Sequence, residues 1–140
     1  MSWRYSLSMV LMASTSACCW WSNGANPGVS NSNSKGLGLM RGRVIRFPEN
    51  GLRVPQIGWN QIEELQSHPL LEGLNEGTYF YFVHSYYCEP LENQVVVGET
   101  DYGVNYASVV ARENICGVQF HPEKSQESGL RLLRNFARLN

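Results

Sequence analysis

A chain of 140 residues and 15.8 kDa holds one domain at most, with room for a modest core. A net charge of −1 and a pI near 6.3 give no basic footprint for nucleic acid, and no apolar run is long enough to span a bilayer. The four cysteines, Cys18, Cys19, Cys88 and Cys116, are too few and too irregular for a disulfide scaffold, and no C-x-x-C spacing offers a metal site. They suit a reducing, cytoplasmic setting.

The composition changes near residue 35. Between Tyr5 and Ser34 there is no charged residue, and the stretch carries the pairs Cys18-Cys19 and Trp20-Trp21. Arg4, the apolar patch Leu7 to Ala13 and the small residues up to Cys18 sketch a secretion signal. Ser6 and Ser8 interrupt it, and Thr15 stands where a lipoprotein signal would carry a bulky apolar residue. Ser30 to Ser34 has little to bury and reads as disorder. Residues 1–35 are therefore expected to be atypical, either disordered or read out of frame, and residues 36–140 to form the globular part.

From residue 36 onward the pattern is that of an ordinary folded protein. Val44 to Phe47, stopped by Pro48, predicts a strand, and Glu49-Asn50-Gly51 a turn. Val54 to Asn60 is a second extended piece whose Pro55 puts it at an edge or a strand start. Gln61 to Gln66 reads as polar connection, and Pro69 to Leu74 as one helical turn opened by proline. Thr78 to Val83, aromatic and β-branched throughout, is the strongest strand, delivering His84-Ser85-Tyr86-Tyr87 at its end. Gln94 to Gly98, Tyr106 to Ala111 and Ile115 to Phe120 follow as antiparallel neighbours, with turns at Asp101-Tyr102-Gly103 and Glu113-Asn114. A helix from about Glu127 to Leu139 closes the chain. Leu130, Leu133 and Ala137 are its expected apolar repeat, with Leu132, Phe136 and Leu139 beside them and Arg131, Arg134 and Arg138 on the outer side.

The most informative stretch is Gly117 to Ser125. An apolar strand runs into His121 and Glu123, which Pro122 separates, and side chains two apart in extended chain share a side. Pro122 has no N–H for a ladder, so the strand stops there. An imidazole at a strand tip beside a carboxylate is the base and orienter of a nucleophilic triad. Taken alone, a His-Pro-Glu turn is more often a solvated loop.

Five pieces in order change that reading: Gly36-Leu37-Gly38-Leu39, Pro55 to Asn60, Tyr81 to Tyr87, Asp101-Tyr102-Gly103, and Gln119 to Ser125. With them, Gly36 to Asn140 resembles the C-terminal part of a class I glutamine amidotransferase. More narrowly, it looks like the glutaminase subunits of imidazole glycerol phosphate synthase. The resemblance implies an α/β fold, here its C-terminal portion, a mixed sheet with antiparallel strands and a closing helix. It implies hydrolysis of glutamine to glutamate, with ammonia passed to a (β/α)8-barrel cyclase subunit in L-histidine biosynthesis and no cofactor. By the same resemblance His121 and Glu123 are catalytic, Ser85 and Tyr86 border the glutamine pocket, and Trp59, Asn60 and Lys124 face the cyclase. Without the family, core packing explains Trp59 equally well. His84 and Cys88 lie four apart at a strand end, poor geometry for a metal pair, and Cys116 reads as a buried thiol.

The parallel strands and first oxyanion-hole loop that the resemblance places further upstream are not found, and neither is the nucleophile elbow. The nucleophile belongs in a Gly-x-Cys-x-Gly elbow shortly before Gly36-Leu37-Gly38-Leu39, and Cys18 and Cys19 stand near that place with no glycine to make the sharp turn. Met12-Ala13 must be encoded ATG-GC, so the frame that starts at the last base of the Met codon reads glycine. Carried on through Trp21, that frame permits Gly-Ile-x-Leu-Gly-Met-Leu-Leu-Val, close to the elbow and its helix. With Ser14 encoded as TCN, x is His, Tyr, Asn or Asp and never Cys. The sequence thus predicts a glutaminase-type chain that lacks its nucleophile. The alternative is a non-catalytic remnant that docks the cyclase.

Overall fold

The computed structural model describes residues 8–11, 21–22 and 39–139. Cys18, Cys19, most of the uncharged N-terminal stretch and most of Gly36-Leu37-Gly38-Leu39 lie outside these residues. Among the described residues ten strands appear in chain order: β1 Ser8–Leu11, β2 Trp21–Ser22, β3 Met40–Arg46, β4 Gln56–Ile62, β5 Glu64–Leu65, β6 Thr78–His84, β7 Tyr86–Pro90, β8 Val96–Asp101, β9 Asn105–Arg112 and β10 Ile115–Val118. One helix, α1 Gln126–Ala137, closes the chain, and single 3-10 turns stand at Pro69–Leu71, Asn93–Val95 and Pro122–Lys124.

The main sheet runs β1-β10-β9-β7-β3-β2, with β8 also on β9 and β5 on β8. Strands β4 and β6 form a separate antiparallel ribbon. The pairs β10–β9, β9–β7, β7–β3, β8–β9 and β5–β8 are antiparallel. Two pairs are parallel. Ser8–Leu11 runs alongside Ile115–Val118, and Trp21–Ser22 alongside Met40–Arg41. The sheet is therefore mixed, as expected, and two short pieces before residue 35, where the sequence suggested no strand, join it.

Strand β9 is the hub. It pairs with three neighbours and is buried from Tyr106 to Ala111, so its sequence is a near-continuous apolar run instead of an alternation. Two cores follow from its two faces. Phe80, Phe82, Phe120, Val109, Val118, Ile62 and Leu70 pack with Leu132 of α1, while Met40, Val44, Cys88, Val95, Ala107 and Val110 fill the other side. Phe80 stacks on Phe120 with ring centroids 4.0 Å apart. That stack ties the β4–β6 ribbon to the chain just before His121.

Several predicted boundaries shift. Strand β4 begins after the cis Val54–Pro55 peptide and runs on to Ile62, which is buried, so the connection predicted over Gln61 to Gln66 is largely strand. His84 to Tyr87 is not one strand tip. After Ser85 the chain starts β7, which the sequence reading did not contain. The turn at Asp101-Tyr102-Gly103 is held by Asp101 Oδ1, which accepts the Gly103 N–H at 2.7 Å, with Gly103 at φ 72.

Helix α1 is in place, but its buried face is rotated from the predicted stripe. Gly129, Leu132 and Asn135 point inward, with Phe136 and Leu139 packed against the core, while Leu130 is 48% exposed and Ala137 is on the outer side. Arg131, Arg134 and Arg138 are exposed, as the basic stripe predicted.

Candidate active site

Strand β10 ends at Val118, before the predicted end at Phe120; His121 follows, and Pro122 opens a 3-10 turn carrying Glu123 and Lys124. His121 Nδ1 lies 2.8 Å from Glu123 Oε1. A carboxylate only accepts, so Nδ1 carries the proton and Nε2 presents a lone pair. Nε2 is buried and has no partner among the described residues. The His121 side chain is 10% exposed and that of Glu123 49%. Burial and a fixed tautomer leave one basic nitrogen free, which is the condition of a general base. His121 and Glu123 do lie side by side, as expected, but a 3-10 turn brings them together and not the extended chain from which the expectation was drawn.

Gln119, two positions earlier, is fully buried, and neither of its amide atoms has a partner among the described residues. Its backbone N–H donates to Ser108 O at 2.9 Å. Three buried polar atoms without partners thus belong to alternate residues of one short stretch, which is unusual in a packed interior. The sequence reading did not single out Gln119, although its alternation with His121 was a usable signal.

The other candidates spread over the neighbouring elements. Ser85, the bend between β6 and β7, and Tyr86, the first residue of β7, are half-buried. There the Tyr86 carbonyl is engaged by His84 Nδ1 at 2.8 Å. Both His84 nitrogens are occupied, since Nε2 lies 3.2 Å from the Tyr106 hydroxyl, so this imidazole is a core group. Burial lowers its pKa to about 4, opposed by the hydrogen bond to the Tyr86 carbonyl.

Trp59 is 46% exposed, so core packing does not explain it. It stands opposite Tyr81 in the ribbon, ring edge to face at 5.9 Å, in a row with exposed Ile57 and Tyr79. Asn60 is turned inward instead: Nδ2 donates to Asp101 O at 2.8 Å and Oδ1 accepts the Gln61 N–H. Its amide pins the ribbon to the end of β8. Lys124 is exposed beside Glu123. Cys88 and Cys116 are both buried, and burial pushes the Cys116 thiol up, away from thiolate.

Comparison with known proteins adds a consistent pattern. Residues 37–139 match the family model of the glutamine amidotransferase class-I domain. Imidazole glycerol phosphate synthase subunit HisH of Thermococcus kodakarensis is 56% identical over 109 residues, 74% of this chain and 54% of the relative. The same subunit of Dehalococcoides mccartyi is 48% identical, covering 76% of this chain and 52% of its own. That of Desulfitobacterium hafniense is 48% identical, covering 79% and 52%. The chain thus spans about half the length of the curated relatives it matches. In fold, it is similar to a Thermoplasma acidophilum protein solved as a candidate GMP synthase subunit, with a TM-score of 0.54 at 18% identity over 68% of this chain and 46% of that one.

Proposed function

Because the chain belongs to the class I glutamine amidotransferase family, matched over residues 37–139, we propose that it is the histidine-bearing half of a glutaminase. Its role is to supply ammonia to the cyclase subunit of imidazole glycerol phosphate synthase. The observation that carries this reading is the buried His121 with Nδ1 held 2.8 Å from Glu123 and Nε2 without a partner among the described residues. In this reading a cysteine sulfur attacks the side-chain amide carbon of glutamine while His121 Nε2 takes the thiol proton. The C–N bond breaks as the same nitrogen returns that proton to the leaving ammonia. Water, deprotonated by Nε2, then cleaves the thioester to glutamate and restores the thiol. Glu123 holds the tautomer and stabilises the imidazolium formed in each half-reaction. Ser85 and Tyr86 border the glutamine pocket, and Trp59 and Lys124 belong to the cyclase-facing side, while Asn60, turned inward, only braces the ribbon behind Trp59. The 46–56% identity of HisH relatives supports this choice among amidotransferases.

No described cysteine suits the nucleophile's role, since Cys88 and Cys116 are buried. We therefore assign the family's nucleophile position to the elbow region, with residues 1–35 as an out-of-frame reading of an elbow that carries His, Tyr, Asn or Asp in place of Cys. With its present N-terminal sequence, the chain is a docking remnant without turnover. Exposed Trp59 and Lys124 favour retained docking.

The test pairs two measurements with purified cyclase subunit. This chain is expected to bind without releasing glutamate from glutamine, and Trp59→Ala to weaken binding by about tenfold or more. A chain whose elbow is rebuilt to Gly-x-Cys-x-Gly, by restoring the frame and placing Cys at x, is expected to turn over glutamine, and His121→Ala to lower that rate by about 1,000-fold or more. Turnover that survives His121→Ala, or a restored chain that neither docks nor turns over, overturns the proposal.

A further inference from the structure

Ser125 occupies the N-cap of α1, where a serine hydroxyl ordinarily accepts an N–H from the first turn of its helix. Here it makes no such bond. Its Oγ accepts the Tyr81 N–H at 3.0 Å and donates to His121 O at 2.6 Å, while the His121 N–H donates to Tyr81 O at 2.9 Å. These three bonds close a ring. Two directly paired residues of an antiparallel ladder exchange both N–H···O bonds. Between Tyr81 and His121 one exchange is direct, and the other passes through the Ser125 hydroxyl. The residue itself is 1% exposed.

The turn is gripped from its other side too. The Ser125 N–H donates to Pro122 O and the Gly129 N–H to Ser125 O. A Cβ on Gly129 would lie 1.8 Å from Pro122 O, so only glycine lets α1 approach this closely.

We propose that Ser125 is a positioning residue for His121: its hydroxyl is taken from helix capping to fix the main chain of the histidine against β6 and so aim the imidazole at Glu123. The proposal deepens the glutaminase reading, which supplies the purpose of the aim. The hydroxyl's effect on the imidazole is independent of that reading.

The experiment is made on this chain without glutamine or cyclase, so failure of the glutaminase reading leaves it intact. Nitrogen NMR of the His121 ring reports the ratio of Nδ1–H to Nε2–H tautomers, and hydrogen exchange reports the Tyr81 amide. Ser125→Ala is expected to lower the tautomer ratio about threefold to tenfold and to speed Tyr81 exchange about tenfold or more, as befits the loss of one buried hydrogen bond. Ser125→Thr, which keeps the hydroxyl, restores both. Asn135→Ala serves as control, a buried amide on α1 bonded to Leu70 O and Glu72 O, whose removal lowers stability without moving the His121 ratio. If Ser125→Ala does not fold, Ser125→Cys keeps a side chain of similar shape with a much weaker donor, and the same two readouts decide. An unchanged tautomer ratio in a folded Ala or Cys variant, with or without lost stability, overturns the proposal.

Discussion

His84 is 1% exposed and packed among the rings of Phe47, Phe82 and Tyr106. Its Nδ1 faces the Tyr86 carbonyl and so carries the proton, which makes Nε2 an acceptor for the Tyr106 hydroxyl. Tyr106 has one proton and also lies 3.0 Å from the Gln56 amide. With that proton given to His84, the Gln56 amide is satisfied only when its –NH2 group faces the Tyr106 oxygen. The folded imidazole titrates at about 4 and the unfolded one near 6.5. Above pH 6.5 both states are neutral at this residue and its contribution does not vary. As pH falls below that value the unfolded chain takes up a proton that the folded chain refuses, so stability drops until about pH 4. The expected loss is roughly 3 kcal/mol across that window. Urea unfolding between pH 7.5 and 4.5 measures it, and His84→Gln should flatten the slope while lowering stability at pH 7. Coincident slopes for the two proteins would show that His84 is not the source.

At the scale of elements, the residues most plainly written in the sequence were strands with a single dominant character. The aromatic run of β6 and the apolar run of β9 both follow from local chemistry, whereas β10 ends at Val118, before the His-Pro-Glu stop reaches it. Strand β7 was hidden because Ser85 gives only a one-residue break before it. The inward face of α1 was misread for a different reason. Hydrophobic periodicity does not score glycine and asparagine as interior residues, yet Gly129 is needed for close approach to Pro122, and Asn135 Nδ2 donates to Leu70 O at 2.9 Å and Glu72 O at 2.8 Å. Both are tertiary requirements that no window of the helix sequence contains. Asn135→Ala should therefore cost about 1–3 kcal/mol, since it strands buried carbonyls, and a lower urea midpoint with an unchanged slope would be its signature. The site was legible in the same measure. His121 and Glu123 stood out by their spacing, and Trp59 by the resemblance. The buried amide of Gln119 and the hydroxyl of Ser125 acquire meaning only once β6, β10 and α1 are brought together.

Across the molecule, stability is expected to decline outward from β9. This strand bonds to β10, β7 and β8 and is buried on both faces, whereas β5 and β2 are two-residue pieces at the margins. Native-state hydrogen exchange should find its slowest amides within residues 106–111 and 115–118, with Leu65 among the fast ones. Equal protection throughout would contradict this gradient. Within the described residues no helix is long and apolar enough to cross a membrane.

The parallel pairing of Ser8–Leu11 with Ile115–Val118 has a consequence for how the sheet tolerates altered sequence. Strand pairing is made by backbone N–H and C=O groups, which every residue type but proline carries in full. The slot beside β10 therefore works as an address blind to spelling. Its far boundary is set by Val118, opposite Leu11, and not by the side chains that happen to fill it. Because the two strands point the same way, a chain seated there leaves the sheet at the end where His121 stands. A shifted reading frame can rewrite the message delivered at that end and still leave the delivery point unchanged.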